Sequence, residues 1–238
     1  MEQEQPSFAD RTDHENAARG FISTISPCII RTHVNGRIVW NAEDYDYLDI
    51  DADCPSTSTI NAKLWRHSQL TSKYGLFHVS EGIYQVCGFD LSNMTIVEGT
   101  EGIIVIDPLV FIECAAAATR TGEQMVIDGM HVVFQMTRAT AHFISQSVQH
   151  GLGEVFGWVV VLFGAQADAL LAGHHWPTWG TGQITGILGE QRDLYTYLHD
   201  QTVRMMNLGL NGAEIAETLT LLPRLAKAWG ITALYLTT

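Results

Sequence analysis

Two adjacent histidines, His174 and His175, close the apolar run "ADALLAG" and precede Trp176-Pro177-Thr178-Trp179-Gly180. Imidazole nitrogen suits zinc, and a carboxylate oxygen suits it as a further donor. A hydrolytic zinc pair uses about three protein ligands per metal and a shared water that the metal acidifies to hydroxide. The remaining candidates are scattered: Asp107, His131, His142, His150, Glu154 and His199. No H-x-H and no H-E-x-x-H spacing occurs, so no compact cluster supplies several ligands at once. His131 alternates with Met130 and Val132 and reads as an exposed strand residue. His142 and His150 lie in a stretch without period, and His199 sits on a helical pattern beside Asp200. Asp107 ends an apolar run and is followed by Pro108, a placement that often borders a site. Other chemistries lack their signatures. There is no G-x-S-x-G elbow, no phosphate loop and no G-x-G-x-x-G.

The elements that would position these residues fall into two regimes. "LFHVSEGIYQVCGFDLSNMTIVEGTEGIIVIDPL" contains apolar runs at 77–79, 83–86, 94–97 and 103–106 parted by polar turns, which predicts a β-meander. Asn35-Gly36 between 32–34 and 38–40 predicts a hairpin, and 61–74 reads as a short helix. "FIECAAAAT" starts a helix, since alanine is the best helix former. The runs on either side of Asp128-Gly129 predict a second hairpin. "WPTWG" after the histidines reads as a rigid loop, and Trp158, Trp176, Trp179, Tyr195 and Tyr197 read as ordinary core and interface aromatics. Beyond Gly182 the period becomes helical. Ile187, Leu188, Leu194, Leu198, Met205 and Leu208 form one stripe, and Gly209 closes the helix. Asn211 with Glu214 forms a capping box for a second helix, which Pro223 kinks or ends.

Composition narrows the function classes. The chain has 238 residues, 26 acids against 13 bases and a net charge of −13. That field argues against nucleic acid, whose backbone needs clustered Lys and Arg. Residues 1–53 hold eleven acids against four arginines, which predicts a solvated acidic N-terminal segment. The four cysteines lack any C-x-x-C spacing and suit reduced thiols. No signal peptide is legible, and "VFGWVVVLFGAQA" is too short to span a bilayer. The expectation is a cytoplasmic protein without a membrane span.

Taken in order, "GLFHVSEGIYQVCGFDLSNMTIVEGTEGIIVIDPL", "GMHVVFQMT", "LLAGHHWPTWG" and "QRDLYTYLHDQTVRMMNLGLNGAEIAETLTL" resemble the alkylsulfatases of the metallo-β-lactamase superfamily. "GFISTISPCIIRTHVNGRIVWNAEDYDYLD" and "CPSTSTINAKLWRHSQL" resemble their N-terminal region. The resemblance implies an α+β chain: a four-layer αββα sandwich followed by helices of a dimerisation domain. It implies two zinc ions and hydrolysis of sulfate esters of long-chain alcohols. Asp107 matches the superfamily's first-motif Asp. One of His174 and His175, with His174 preferred, matches the late histidine that ligates zinc. The implied division is an acidic, disordered 1–20, a catalytic-domain remnant over 21–185 and a truncated helical dimerisation domain over 186–238.

The departures carry as much weight. The family's H-x-H-x-D-H cluster should follow the Ala-rich helix, yet "ECAAAAT" runs straight into "RTGEQMVIDGM". The segment with the acidic ligands and the sulfate-binding arginine is replaced by "ISQSVQHGLGEVFGWVVV". The chain therefore reads as an alkylsulfatase with two internal deletions and a C-terminal truncation, unable to turn over an alkyl sulfate. The alternatives are a non-catalytic partner that homodimerises through its C-terminal helices, and a degenerate gene product. A rebuilt mononuclear site from His174, His175, His142 or His150, and Glu154 is a third.

Overall fold

Four strands follow one another as neighbours: β4 (Gly75–Ser80), β5 (Ile83–Cys87), β6 (Met94–Glu98) and β7 (Gly102–Ile106). Each pairs antiparallel with the next, as the alternating apolar runs predict. Gly82 turns β4 into β5 at φ 68°, a conformation open to glycine. The computed structural model describes residues 10–48, 59–100, 102–126, 131–134 and 166–227. Among these, β1 (Phe21–Ser23) adds to β4 and β8 (His131–Phe134) adds to β7. The sheet order is β1-β4-β5-β6-β7-β8, with five antiparallel strands and a parallel sixth. The chain is thus mixed α+β.

One face of this sheet builds the core. Leu76, Val86, Met94, Ile96, Ile103 and Val105 are buried there with Phe89. Helix α3 (Ile112–Val126) contributes Cys114, Ala117 and Ala118 to the same cluster and packs against β2 (Ile29–Arg31), β3 (Ile38–Asn41) and β4. Its alanines add little bulk, which allows a close approach. The hairpin expected around Asp128-Gly129 does not form. The helix continues to Val126, and β8 runs parallel to β7 with Gly102 opposite His131 and Val105 opposite Phe134. Parallel neighbours need a crossover of about a dozen residues or more, which α3 supplies.

The Asn35-Gly36 hairpin is present, but its turn is longer than expected. The paired strands end at Arg31 and resume at Ile38. Thr32 Oγ1 and Asn35 Oδ1 both accept from the Arg37 N–H at 3.1 Å, which draws residues 32–37 into the turn. Trp40 then anchors the hairpin by donating from Nε1 to the Gly88 carbonyl at 2.8 Å.

The acidic N-terminal segment, expected as solvated and either disordered or helical, carries helix α1 (Thr12–Ala18). Its Asn16 and Ala17 are buried, and Asp13 pairs with Arg66 of α2 (Ala62–Thr71) at 2.9 Å. Arg66 is itself buried, so burial and a partnered cation order this stretch despite its composition. Helix α2 starts where Asn61 Oδ1 accepts from Lys63 N at 2.9 Å and Leu64 N at 3.4 Å. Asn61→Ala is expected to lower stability by about 1 kcal/mol in urea unfolding. An unchanged midpoint would mean that the cap contributes nothing.

The elements from α1 to β8, with residues 169–178, form one compact unit. The helices from Trp179 onward belong to a second. In it α4 (Thr181–Asn207) buries Ile184, Leu188, Leu194 and Met205. Gly209 follows at φ 90°. Leu208, expected on the buried stripe, is exposed because the helix ends one residue before it. The capping box forms as predicted, with Asn211 and Glu214 bonded reciprocally at the start of α5 (Gly212–Thr218). Pro223 does not kink this helix. α5 ends at Thr218, and Pro223 opens α6 (Pro223–Ala226), where its missing N–H costs nothing. No helix among the described residues is long and apolar enough to cross a membrane.

Candidate functional site

The histidine pair sits at the tip of a tight hairpin. Strand β9 (Ala169–Ala172) leads through Gly173 and His174 into β10 (His175–Trp179). "WPTW" is therefore strand rather than loop. A two-stranded sheet has only edge strands, where Pro177 is tolerated. The hairpin is held by side chains of the meander. The Asn93 backbone N–H donates to Gly173 O at 2.6 Å, and its Nδ2 donates to His175 O at 2.9 Å and to Ala172 O at 3.3 Å. Gln85, fully buried, donates to Ala172 O at 3.3 Å and to Thr95 Oγ1 at 3.0 Å.

The two histidines differ in setting because His174 lies in the turn and His175 begins β10. His174 is exposed, with Nδ1 2.9 Å from the Leu91 carbonyl. A carbonyl only accepts, so Nδ1 is the donor and Nε2 takes no part in that contact. His175 turns inward. Its ring stacks on Trp176 at 3.5 Å between centroids, and its Nδ1 lies 2.9 Å from Trp176 O. Burial pulls the His175 pKa below the ordinary imidazole value, against the pull of that hydrogen bond and of Asp13.

A third imidazole, which the sequence did not single out, joins them. His67 of α2 lies 6.0 Å from the His175 ring and 5.5 Å from Trp176. Burial, reinforced by His175, pushes its pKa down to about 4, with Asp13 opposing. Trp176 also packs on Ala17 and Leu70. The one available signal for His67 was its helical spacing, three residues before Leu70. That places it on the buried side of α2 but says nothing of what it meets.

Asp107 comes to the same corner. It follows β7 with φ 55°, and its Oδ2 lies 3.5 Å from where a Cβ on Gly173 would stand. Asp107 and the His174 turn are therefore neighbours. A cavity of about 60 Å³ opens beside the hairpin, lined in part by Leu70, Lys73, Asp90, Asn93, His174 and Trp176.

This donor set does not fit a zinc pair. Among the described residues, no group of three or more His, Cys, Asp or Glu side chains converges as a metal site. His174 and His175 each have Nδ1 at a backbone carbonyl, which leaves Nε2 as the nitrogen a metal could take, but the His175 ring is half-buried against the Trp176 indole. His131 stands on β8 opposite Gly102. His199 lies in the second unit, 3.0 Å from Asp200 Oδ1. His142, His150 and Glu154 lie outside the described residues. The thiols of Cys28, Cys87 and Cys114 are buried, which pushes their pKa up to about 11, 12 and 12. They stay protonated at neutral pH and make poor nucleophiles or ligands.

No family model matches the chain. An alkyl/aryl-sulfatase of Saccharomyces cerevisiae (BDS1) is 24% identical, with 96% of this chain and 56% of that protein covered. A linear primary-alkylsulfatase of a Pseudomonas species is also 24% identical, with 92% of this chain and 53% of that protein covered. The chain spans little more than half the length of these relatives. The first alignment runs over 367 residues, more than the 238 of this chain. Blocks of the relative therefore face gaps inside this chain. Among solved structures, the stereoselective inverting sec-alkylsulfatase Pisa1 from a Pseudomonas species superposes with a TM-score of 0.79 at 21% identity. That match covers 94% of this chain and 57% of Pisa1.

Proposed function

From its relationship to the alkylsulfatases of the metallo-β-lactamase type, we propose that this chain is a sulfate-ester hydrolase scaffold that has lost turnover. The mixed sheet with α3 on one face is taken as half of a four-layer αββα sandwich. One observation carries the reading: among the described residues, no group of three or more His, Cys, Asp or Glu side chains gathers around either histidine offered as a ligand. In a zinc hydrolase the metal supplies the acidified water that attacks the ester. Binding free energy for a metal falls away as ligands are removed. The absence of any H-x-H-x-D-H spacing in the chain supports the same conclusion.

What remains is a non-catalytic role, and the second unit offers its means. Val203, Met206 and Leu208 stand exposed around the last turn of α4 and its C-cap, apolar surface that pairing with a second copy would cover.

The test uses the purified chain. Zinc is measured by mass spectrometry after dialysis against zinc-containing buffer, and sulfate release is followed from dodecyl sulfate and from a secondary alkyl sulfate. The expected result is zinc far below stoichiometric and no release above buffer. A bound zinc pair with turnover would overturn the proposal. Light scattering then separates the outcomes for the helices. A discrete dimer supports pairing, a monomer rejects it, and void-volume aggregate favours a degenerate product.

A further inference from the structure

The corner beside Asp107 has a second property, independent of any metal. Leu91, Val110 and Ile112 are 69%, 64% and 79% exposed, and Phe111 is exposed between the last two. Single exposed apolar residues are ordinary, but three in a row joined by a fourth from another loop are not. The fold holds them in place. Asp90 is buried, and its Oδ1 accepts from Leu91 N at 2.5 Å. Its Oδ2 accepts from Val110 N at 2.9 Å and Phe111 N at 3.1 Å. One carboxylate thus ties the β5–β6 connection to the β7–α3 connection. The latter loop also holds Asp107 and Leu109 at φ 55° and 72°, a left-handed conformation unfavourable for a leucine. Strained backbone and a buried carboxylate together keep four apolar side chains turned to solvent.

The two connections that build this tip, 88–93 and 107–111, contain no Lys or Arg but do contain Asp90 and Asp107, and Glu113 stands just beyond in the first turn of α3. Asp107 and Glu113 flank the apolar run directly. We propose that the tip is a docking surface for a basic amphipathic segment of a partner protein. The segment's apolar face would cover Leu91, Val110, Phe111 and Ile112, and its Lys or Arg residues would reach Asp107 and Glu113. Because the tip is preorganised, docking orders little of this chain. An anionic lipid surface would be repelled by the same acids. A second copy meeting it tip to tip would be repelled as well, because it would bring the same acids to the contact.

The probe is a labelled amphipathic helical peptide of Leu and Lys, titrated with the full chain by fluorescence anisotropy. A Leu/Glu peptide of the same pattern is the control. Saturable binding to the Leu/Lys peptide, weakened by salt and absent for Leu/Glu, is expected. The double variant Val110→Ser/Ile112→Ser keeps every charge and alters only exposed side chains, so folding is preserved and checked by circular dichroism. It is expected to bind about tenfold more weakly. Unchanged binding by that variant would overturn the proposal, because bulk charge alone would then explain the affinity. Tip-dependent binding to phosphatidylcholine vesicles without peptide binding would overturn it in favour of a lipid surface. Tip-dependent self-association in sedimentation would do so in favour of a second copy.

Discussion

Asp90→Ala is expected to destabilise the sheet-bearing unit by about 3 kcal/mol, a large effect for one side chain. The carboxylate is buried and accepts from three backbone N–H groups, those of Leu91, Val110 and Phe111. Alanine removes the charged acceptor and leaves all three donors to find water or none. Each donor left without a partner in a dry site costs about 1–3 kcal/mol, although Leu91 and Val110 lie near solvent and recover part of that. Asp90→Asn keeps one acceptor oxygen and should lose roughly half as much. Urea unfolding followed by circular dichroism reads both. Equal midpoints for wild type and Asp90→Ala would show that the two connections are held by something else. The variant should also loosen Leu91, whose carbonyl faces His174 Nδ1.

Legibility in the sequence followed the range of the interaction. The meander, the Asn35-Gly36 hairpin and the Asn211–Glu214 capping box were readable because each is decided by residues within a few positions. Period-two alternation, a glycine-bearing turn and a side chain reaching three residues on are all local. β8 was misread for the opposite reason. "MHVVF" after Asp128-Gly129 has the local look of a hairpin's second strand, yet its partner is β7, on the far side of α3. No local pattern distinguishes the two pairings; the helix's extension to Val126 does. Likewise, "WPTW" contains a proline and two bulky aromatics and reads as loop. It becomes strand because Asn93 and Gln85 fix the hairpin onto the sheet.

The site divides along the same line. Residue type brought His174, His175 and Asp107 forward, and Asp107 does meet the hairpin turn. The sequence could not say that one histidine faces solvent while its neighbour lies against an indole. That is decided by the hairpin, whose turn holds His174 and whose second strand starts at His175, and the hairpin itself went unread. Asp90 and Asn93, in "GFDLSN", fall in a connection between two apolar runs and carry no local signal. Their importance lies in what they accept from and donate to across the fold. His67 was invisible because its partners, His175 and Trp176, arrive from a hairpin far along the chain.

Those imidazoles set the second large expectation, a loss of stability in acid. His67 has its pKa pushed down to about 4 in the fold, from 6.5, and His175 is shifted in the same direction. A base whose folded pKa is depressed takes up a proton more readily when unfolded. Between pH 6.5 and about 4, the unfolded chain therefore binds more protons, and stability falls as pH drops through that window. Above it both states hold the rings neutral and the contribution is fully present. His67 retains some contact with solvent, so its share is put at about 2 kcal/mol, below what the full shift would give. Urea midpoints at about pH 7 and about pH 4.5 should differ clearly in wild type. The difference should shrink by the His67 share in His67→Phe, which keeps a ring against Trp176 but has nothing to protonate, while His175 keeps its own part. A wild-type profile flat across this range, or a slope untouched by His67→Phe, would remove the buried imidazole as its cause.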